Sequence, residues 1–418
     1  MVVLQADILA ELARNFQFSP AFPMMRCFLY NTPMNQLTKS LLSWVEIDGK
    51  ALAANARTLR AQTGPDVIFC SALKANAYGH GLTLCANILQ RERATDWIAV
   101  NSLWEAEKLR ANGITLPLYI MGYIPLSELE SVFTHDVRIV VYNQETVMQL
   151  EEIGKRLEKT ARVHLKVETG NHRQGVYEQD IPSWIALFAA CKHVVLEGLS
   201  THFANIEDTH DHSYAQQQTQ RFDGYISQFK QAGMPIPFLH SANSAATILF
   251  SKTHGTMVRT GIALYGLWPS DEVKQEVSIS REQKISLSPV LSWRARVAQV
   301  RPILKDSLIG YGCSFRAERN MVIAIIPVGY YDGFDRGLSS GGEVLIHGRR
   351  AKLCGRVCMN MIMVDVTDIG DVHIEDEVTL IGRDGDEEIT AGEMAGEIGT
   401  IHYEVVTRIR EDIPRIEV

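Results

Sequence analysis

Lys74 opens the segment Lys74-Ala75-Asn76-Ala77-Tyr78-Gly79-His80-Gly81, directly after the apolar run Val67-Ile68-Phe69-Cys70-Ser71-Ala72-Leu73. A primary amine at the C-terminal end of a buried strand can bond covalently to a carbonyl compound or move a proton, provided its surroundings keep part of it neutral. Four more chemically loaded clusters follow: Lys166 with Glu168-Thr169-Gly170-Asn171-His172-Arg173, then His202, then Asn243-Ser244, then Arg259-Thr260-Gly261-Ile262. A lone lysine after a strand is usually structural. Five such clusters, each at the end of an apolar run, point to one site assembled from strand ends.

The elements that must position these groups are short branched runs alternating with longer amphipathic stretches. The strand candidates are Val67 to Leu73, Trp97 to Val100, Leu116 to Ile120, Val137 to Val141, Val163 to Val167, Val194 to Leu199, Ile236 to Leu239 and Met257 to Leu264. Helical patterns lie between them at Ser102 to Asn112, Gln144 to Lys159, Ile181 to Ala190 and Gln216 to Ala232. Eight strands with crossover helices predict an α/β fold, a closed (β/α)8 TIM-type barrel, over residues 44–283. An open doubly wound sheet is the rival arrangement. No Gly-x-Gly-x-x-Gly follows the first strand, so a dinucleotide crevice has no support. After about residue 285 the pattern turns to strands separated by Gly and Asp turns: Val290 to Val297, Met321 to Val328, Gly342 to Ile346, Met361 to Val366 and Glu377 to Ile381. Residues 284–418 therefore read as a second, mostly β domain with a short helix at Ala391 to Ile398.

The remaining features narrow the function classes. The 41 basic and 49 acidic residues give a net charge of -8, with no basic tail or stripe, which argues against a nucleic-acid partner. No apolar run reaches the roughly 18 residues of a membrane helix. The seven cysteines lack regular spacing and read as reduced cytoplasmic thiols. Cys354 and Cys358 have no second pair to complete a zinc site, so no metal is expected. Residues 1–40 form an N-terminal extension of unknown role. Asp7 and Glu11 without a basic n-region argue against a secretory signal, and Leu4 to Phe16 has the pattern of a short amphipathic helix before Pro20, Pro23 and Pro33. An over-early start codon is an equally simple source of this segment.

Taken as an ordered set, the motifs resemble those of bacterial alanine racemases, fold-type III enzymes that use pyridoxal 5'-phosphate. The resemblance runs from about Trp44 to the C-terminus. It is carried by Lys74 to Gly81, Lys166-Val167-Glu168-Thr169-Gly170 with Arg173, Thr201-His202-Phe203, Ala242-Asn243-Ser244-Ala245 and Arg259-x-Gly261-Ile262-Ala263-Leu264-Tyr265-Gly266. The β domain adds Gly310-Tyr311-Gly312, Pro327-Val328-Gly329-Tyr330-x-Asp332-Gly333, Gly355-Arg356-Val357-Cys358-Met359 and Tyr403-Glu404. The resemblance implies that Lys74 holds the cofactor covalently and, once displaced by the substrate amine, serves as one of two bases at the α-carbon. Tyr311 is then the base on the opposite face, its acidity raised through His202 and Arg259. Arg259 faces the ring nitrogen of the cofactor, where a cationic donor leaves that nitrogen largely unprotonated and disfavours transamination. Tyr78, Tyr403 and Ser244 hydroxyls with the N–H groups of Gly261 and Ile262 hold the phosphate, and Asn243 belongs to the same cofactor set. Arg173 and the Met359 backbone bind the substrate carboxylate, with Lys166 matching the lysine that many members carry as a carbamate beside this arginine. Tyr330, Arg336, Arg356 and Ile401 match entrance positions. Because Tyr311 and Met359 reach into the other subunit in this family, the resemblance implies a head-to-tail homodimer with shared sites.

Three residues depart from the family pattern: Asn360 stands for the usual aspartate, Asn171 for a methionine, and His402 for an asparagine beside Tyr403. None removes a catalytic group. The expected activity is interconversion of L- and D-alanine, supplying D-alanine for peptidoglycan. A serine or broad-specificity racemase is the alternative, since one methylene is worth only about 1–3 kcal/mol of discrimination. A non-catalytic pyridoxal-phosphate protein would lack the β domain, and a decarboxylase on the related scaffold fits the Lys74 segment and Tyr311 less well.

Overall fold

The computed structural model describes residues 38–208, 210–279 and 285–418, so the N-terminal extension lies outside it except for residues 38–40. The first strand, β1 (Ser43–Ile47), leads through α1 (Gly49–Arg60) into eight parallel strands: β2 (Ile68–Ala72), β3 (Trp97–Val100), β4 (Leu118–Ile120), β5 (Val137–Val141), β6 (Ala161–Lys166), β7 (Val194–Ser200), β8 (Phe238–His240) and β9 (Met257–Thr260). They hydrogen-bond in the order β9-β2-β3-β4-β5-β6-β7-β8. Thr256 N–H to the Leu239 carbonyl and Arg259 N–H to the Ala242 carbonyl, both 3.0 Å, bring β9 back to the other edge and close the ring. The crossovers carry α2 (Leu82–Arg91), α3 (Leu103–Ala111), α4 (Glu130–Thr134), α5 (Gln144–Leu157), α6 (Ile181–Ala190), α7 (Ser213–Gln231) and α8 (Ser244–Leu249), and α9 (Asp271–Ile279) follows β9. Helix starts are chemically marked. Asp48 accepts the Ala51 N–H of α1 at 2.8 Å, and Ser102 and Glu105 form a reciprocal capping box on α3.

The β-rich half contains β10 (Leu291–Arg296), β11 (Gln299–Ile303), β12 (Leu308–Ile309), β13 (Phe315–Arg316), β14 (Met321–Ile326), β15 (Glu343–Ile346), β16 (Arg349–Lys352), β17 (Ile362–Asp365), β18 (Glu377–Asp384), β19 (Glu387–Ile389) and β20 (Arg415–Glu417). The main sheet runs β16-β15-β18-β10-β1-β20, with β19 on β18, and β11-β14-β17 forms a second sheet. Helices α10 (Ala391–Ile398) and α11 (His402–Arg408) precede the last strand. The architecture is thus an α/β barrel followed by a β-rich domain.

Two placements differ from the pattern-based expectation. β1 falls inside the span assigned to the barrel, yet it pairs antiparallel with β10 and parallel with β20. The eight-strand ring closes without it, and Trp44, Val45 and Ile47 are buried inside the main sheet instead. The last barrel strand ends at Thr260, not Leu264. The chain bends at Gly261 and continues as a 3-10 turn over Ile262–Tyr265. One apolar cluster spans both halves, while Cys70, Trp97, Ala99, Tyr119, Val140 and Met257 make a separate one inside the barrel. Among the described residues no helix is long and apolar enough to cross a membrane.

Candidate active site

At the C-terminal ends of the barrel strands lies a cavity of about 540 Å³. Lys74, Tyr78, Lys166, Arg173, His202, Asn243, Ser244, Arg259, Gly261, Ile262 and Tyr403 all line it. The parallel strands explain this convergence. Every crossover returns on the same side, so each residue just beyond a strand end faces the same mouth.

Lys74 and Tyr78 are brought to one cavity by an unusual backbone. Ala75, Asn76, Ala77 and Tyr78 all have φ between 52° and 55°, a full left-handed turn without a glycine. Each such residue costs roughly 1–2 kcal/mol, so the surroundings must hold the turn in place. Glu105 Oε1 accepts the Ala75 N–H at 2.8 Å, Asn76 Oδ1 accepts the Leu82 N–H at 2.8 Å, and the His80 ring meets the Tyr78 carbonyl at 2.8 Å. Gly79 follows at φ 82°, where a Cβ would lie 1.9 Å from the Val406 carbonyl oxygen of α11. The turn is therefore fixed from the barrel and from the β domain together.

Burial lowers the pKa of Lys74, and the Arg173 charge adds to this against the opposing Glu105 carboxylate. The amine is thereby kept more neutral than a surface lysine. Lys166 is held well below its usual pKa by burial first and then by Arg259 and Arg173. His202 is likewise held well below its usual pKa by burial, followed by Lys166, Arg259, Arg173 and Lys74. Such a pocket attracts anions. Its other end carries phenols: burial pushes Tyr78 up to about 12 and raises Tyr403 further, so both keep their protons as donors. The two rings stand 6.3 Å apart. Ser244 Oγ accepts the Gly261 N–H at 2.9 Å, leaving the hydroxyl hydrogen for another acceptor. Asn243 caps α8 through the Ala246 N–H at 3.0 Å and donates to Glu207 at 2.7 Å.

Arg259 is 7% exposed and lines the cavity, with both η nitrogens turned to groups at the strand ends. Nη1 meets His240 Nδ1 at 2.5 Å and the His240 carbonyl at 2.9 Å, while Nη2 meets the carbonyls of Thr201 and Ser241 at 2.9 and 3.3 Å. The strand-end carbonyls saturate both η nitrogens, so Arg259 links to His240 and not to the His202 side chain among the described hydrogen bonds. The link continues into the barrel. A guanidinium can only donate, so His240 Nδ1 accepts and its proton sits on Nε2. That nitrogen meets His164 Nδ1 at 2.7 Å, leaving the His164 proton on Nε2, 3.5 Å from Glu197, which pairs with Arg138 at 3.1 Å. Pattern reasoning did not include His240, His164, Glu197, Glu105 or Glu207. The signal lay in spacing: His164 is two residues before Lys166 and His240 two after Phe238, polar residues on inward positions of buried strands.

Tyr311 and Met359 are elsewhere. They line a groove of about 600 Å³ on the β domain with Asn360 and Met361, 72% and 55% exposed, outside the Lys74 cavity. The Arg356 guanidinium packs on Gly312 (φ 73°), where a Cβ would lie 3.1 Å from Nη1. The Tyr330 and Tyr331 N–H groups bond the carbonyls of Cys358 and Met359 at 3.0 and 2.9 Å. Tyr330, Arg336, Arg356 and Ile401 are all exposed and outside the lining of the Lys74 cavity. Asn360 Nδ2 donates to Asp332 at 3.4 Å, a pairing that an aspartate would turn into two facing carboxylates. Asn171 donates to the Phe203 carbonyl at 3.4 Å, and His402 lies 4.9 Å, ring to ring, from Tyr403. Among the described residues no cluster of His, Cys, Asp or Glu could hold a metal ion.

A neutral-leaning amine, a buried guanidinium, a second arginine and an end lined by hydroxyl donors suit covalent capture of a phosphorylated carbonyl compound beside an amino acid. Comparison with known proteins agrees. Residues 47–269 match the model for the alanine racemase N-terminal domain, and residues 290–417 match that for the C-terminal domain. An alanine racemase of Methanococcus maripaludis is 37% identical over 374 residues, covering 89% of this chain and 98% of its own. A solved alanine racemase of Clostridium difficile 630 superposes with a TM-score of 0.84 at 32% identity, covering 91% of this chain and 96% of its own. One from Bacillus anthracis, with bound L-Ala-P, gives 0.83 at 34% identity, with 90% and 95% covered. The chain belongs to the alanine racemase family of fold-type III pyridoxal-phosphate enzymes.

Proposed function

We propose that this protein interconverts L- and D-alanine with pyridoxal 5'-phosphate by a two-base mechanism and supplies D-alanine for peptidoglycan. The observation that carries the reading is the Lys74 amine, held by a strained turn in a cavity with Arg259, Arg173, Lys166 and the Tyr78–Tyr403 end. The cavity fits the cofactor. A Cβ at Gly261 would stand 2.4 Å from the Tyr78 hydroxyl oxygen, so its absence keeps the anion end open. Lys74 would hold the aldehyde carbon covalently. Tyr78, Tyr403 and Ser244 with the backbone of Gly261 and Ile262 would hold the phosphate, and Arg259 would face the ring nitrogen with His202 and Asn243 beside it. The cofactor, when bound, supplies an electron sink for charge left at the substrate α-carbon.

The chain's own groups do the rest. Arg173 binds the substrate carboxylate through paired N–H donors and so fixes the direction of the α-hydrogen. Lys74 Nζ takes or returns that proton on one side. Burial and neighbouring cations hold the Lys166 pKa well below its usual value and so favour the neutral amine, the form that adds to carbon dioxide. Its lone pair would form the N–C bond, one C=O pair would move onto oxygen, and the nitrogen would lose one proton to water. The resulting carbamate anion would steady Arg173 where an ammonium would repel it.

The second base, Tyr311, and the Met359 amide come from another copy of the chain, since in this chain both lie outside the cavity. The functional unit on this reading is a homodimer with shared sites, its entrance lined by Tyr330, Arg336, Arg356 and Ile401. Reduced thiols such as Cys70, Cys85 and Cys354 fit the cytoplasm. The test is a D/L conversion assay with added cofactor for alanine, serine and lysine. Alanine should have the highest kcat/KM; a higher value for serine would favour the serine or broad-specificity alternative, and no conversion of any of them would refute the reading.

A further inference from the structure

We propose that Arg415 is a positioning residue for the cofactor, clamping the left-handed Lys74–Tyr78 turn to the segment that follows the Tyr403 helix so that the two phenols grip the phosphate as one unit. The proposal rests on reading the cavity as a pyridoxal-phosphate site. It concerns a residue that contributes no atom to the cavity.

The guanidinium of Arg415 is directed at backbone carbonyls. Nε and Nη2 meet the Gly79 oxygen at 3.1 and 2.9 Å, and Nη2 also meets Ile409 at 3.0 Å. Nη1 meets Arg410, Glu411 and Ile413 at 2.5, 3.1 and 2.6 Å. A desolvated cation held by neutral acceptors is costly unless its donors are well satisfied, and here all three nitrogens are bonded. Burial brings its pKa down to about 10.

The position of the clamp gives it a role. Gly79 directly follows Tyr78, and Ile409 to Ile413 directly follow α11, which presents Tyr403. Gly79 also lies against the Val406 carbonyl of α11, too close for any Cβ. Arg415 thus ties the turn bearing Lys74 and Tyr78 to the chain that leaves the Tyr403 helix. A run of four left-handed residues persists only while its neighbours over-determine it, and Arg415 supplies that constraint at its C-terminal end. The need is greatest during turnover. Once Lys74 is released from the cofactor, non-covalent contacts would have to retain it, and the phosphate grip would be the one Arg415 supports.

The test compares holoenzyme of Arg415→Lys and Arg415→Ala with wild type, following cofactor release by absorbance with and without D-alanine. Both variants should raise the cofactor Kd about tenfold or more, with Lys the milder and release fastest during turnover. At saturating cofactor, kcat should stay within about threefold of wild type. Glu417→Gln, which removes the Arg91 ion pair on the same tail, should leave cofactor affinity unchanged. If Arg415→Ala fails to fold, Arg415→Lys decides. An unchanged Kd in well-folded Arg415→Lys, or a fall in kcat at saturating cofactor with no change in Kd, overturns the proposal. Wild type that binds no cofactor would instead refute the reading of the cavity.

Discussion

At the barrel mouth, Lys74, Lys166, His202 and Arg259 share one cavity, and hydrogen bonds reach from it through His240 to His164, whose Nε2 faces Glu197 at 3.5 Å. On the β domain, Tyr311 and Met359 stand 72% and 55% exposed in an open groove. The first region carries its own supports: Lys74, Lys166 and His202 have buried and charged neighbours that bias their protonation, and Arg259 is held by strand-end acceptors. The second has its backbone fixed, by the Tyr330 and Tyr331 bonds to the Met359 loop, but the Tyr311 and Met359 side chains meet solvent. A rigid frame presenting exposed tyrosine and methionine suits groups that finish a site on another molecule. On the proposed reading the two regions divide the work, with cofactor retention and one base at the mouth and the opposite base on the face.

The sharpest way to separate them is to remove one base from each. Lys74→Ala should abolish covalent cofactor attachment, seen as loss of its long-wavelength absorbance, and reduce racemisation by roughly 10³-fold or more. Tyr311→Phe should keep the absorbance of wild type while lowering kcat by about 10²- to 10⁴-fold. Retained racemisation in Tyr311→Phe would remove the face from the mechanism.

The depth of the mouth can be tested at smaller cost. His80, fully buried beside the Lys74 turn, has its pKa lowered by burial to about 4. The unfolded chain binds this proton below about pH 6.5 and the folded chain does not, so stability falls as pH drops from about 6.5 to 4, by roughly 3 kcal/mol for this group. Urea unfolding of His80→Asn should show a correspondingly flatter acid limb; equal acid sensitivity would mean that His80 is not buried neutral. Glu197→Gln, at the far end of the Arg259 connection, should cost about fivefold in kcat/KM, near 1 kcal/mol, because the charge that orders the two imidazoles is lost. The same change should leave Tyr311-dependent steps and cofactor absorbance unaltered.

Much of the mouth was legible in the sequence because barrel geometry converts strand order into spatial adjacency. Lys74, His202 and Asn243 fall within three residues of a strand end, and Lys166 and Arg259 lie in the strands themselves. The turn at Ala75–Tyr78 was not legible. Alanine and tyrosine have no preference for left-handed backbone, and the conformation is imposed by Glu105, Asn76, His80 and the β domain. Nor was the place of Ser43–Ile47, since a strand's partners (here residues near 293 and 416) are set by long-range packing that local pattern does not encode. Arg415 carried no local signal for the same reason: its acceptors are carbonyls brought in by tertiary structure.

The central claim, that a complete site needs the mouth of one chain and the face of another, is tested most directly by complementation. Lys74→Ala and Tyr311→Phe proteins, each inactive alone, are mixed under conditions of subunit exchange that is verified by tagged chains. Half the dimers become mixed, and each of these regains one site with both native bases. The account predicts roughly a quarter of wild-type specific activity at a 1:1 ratio. Activity no greater than the sum of the two variants, with exchange demonstrated, would contradict it.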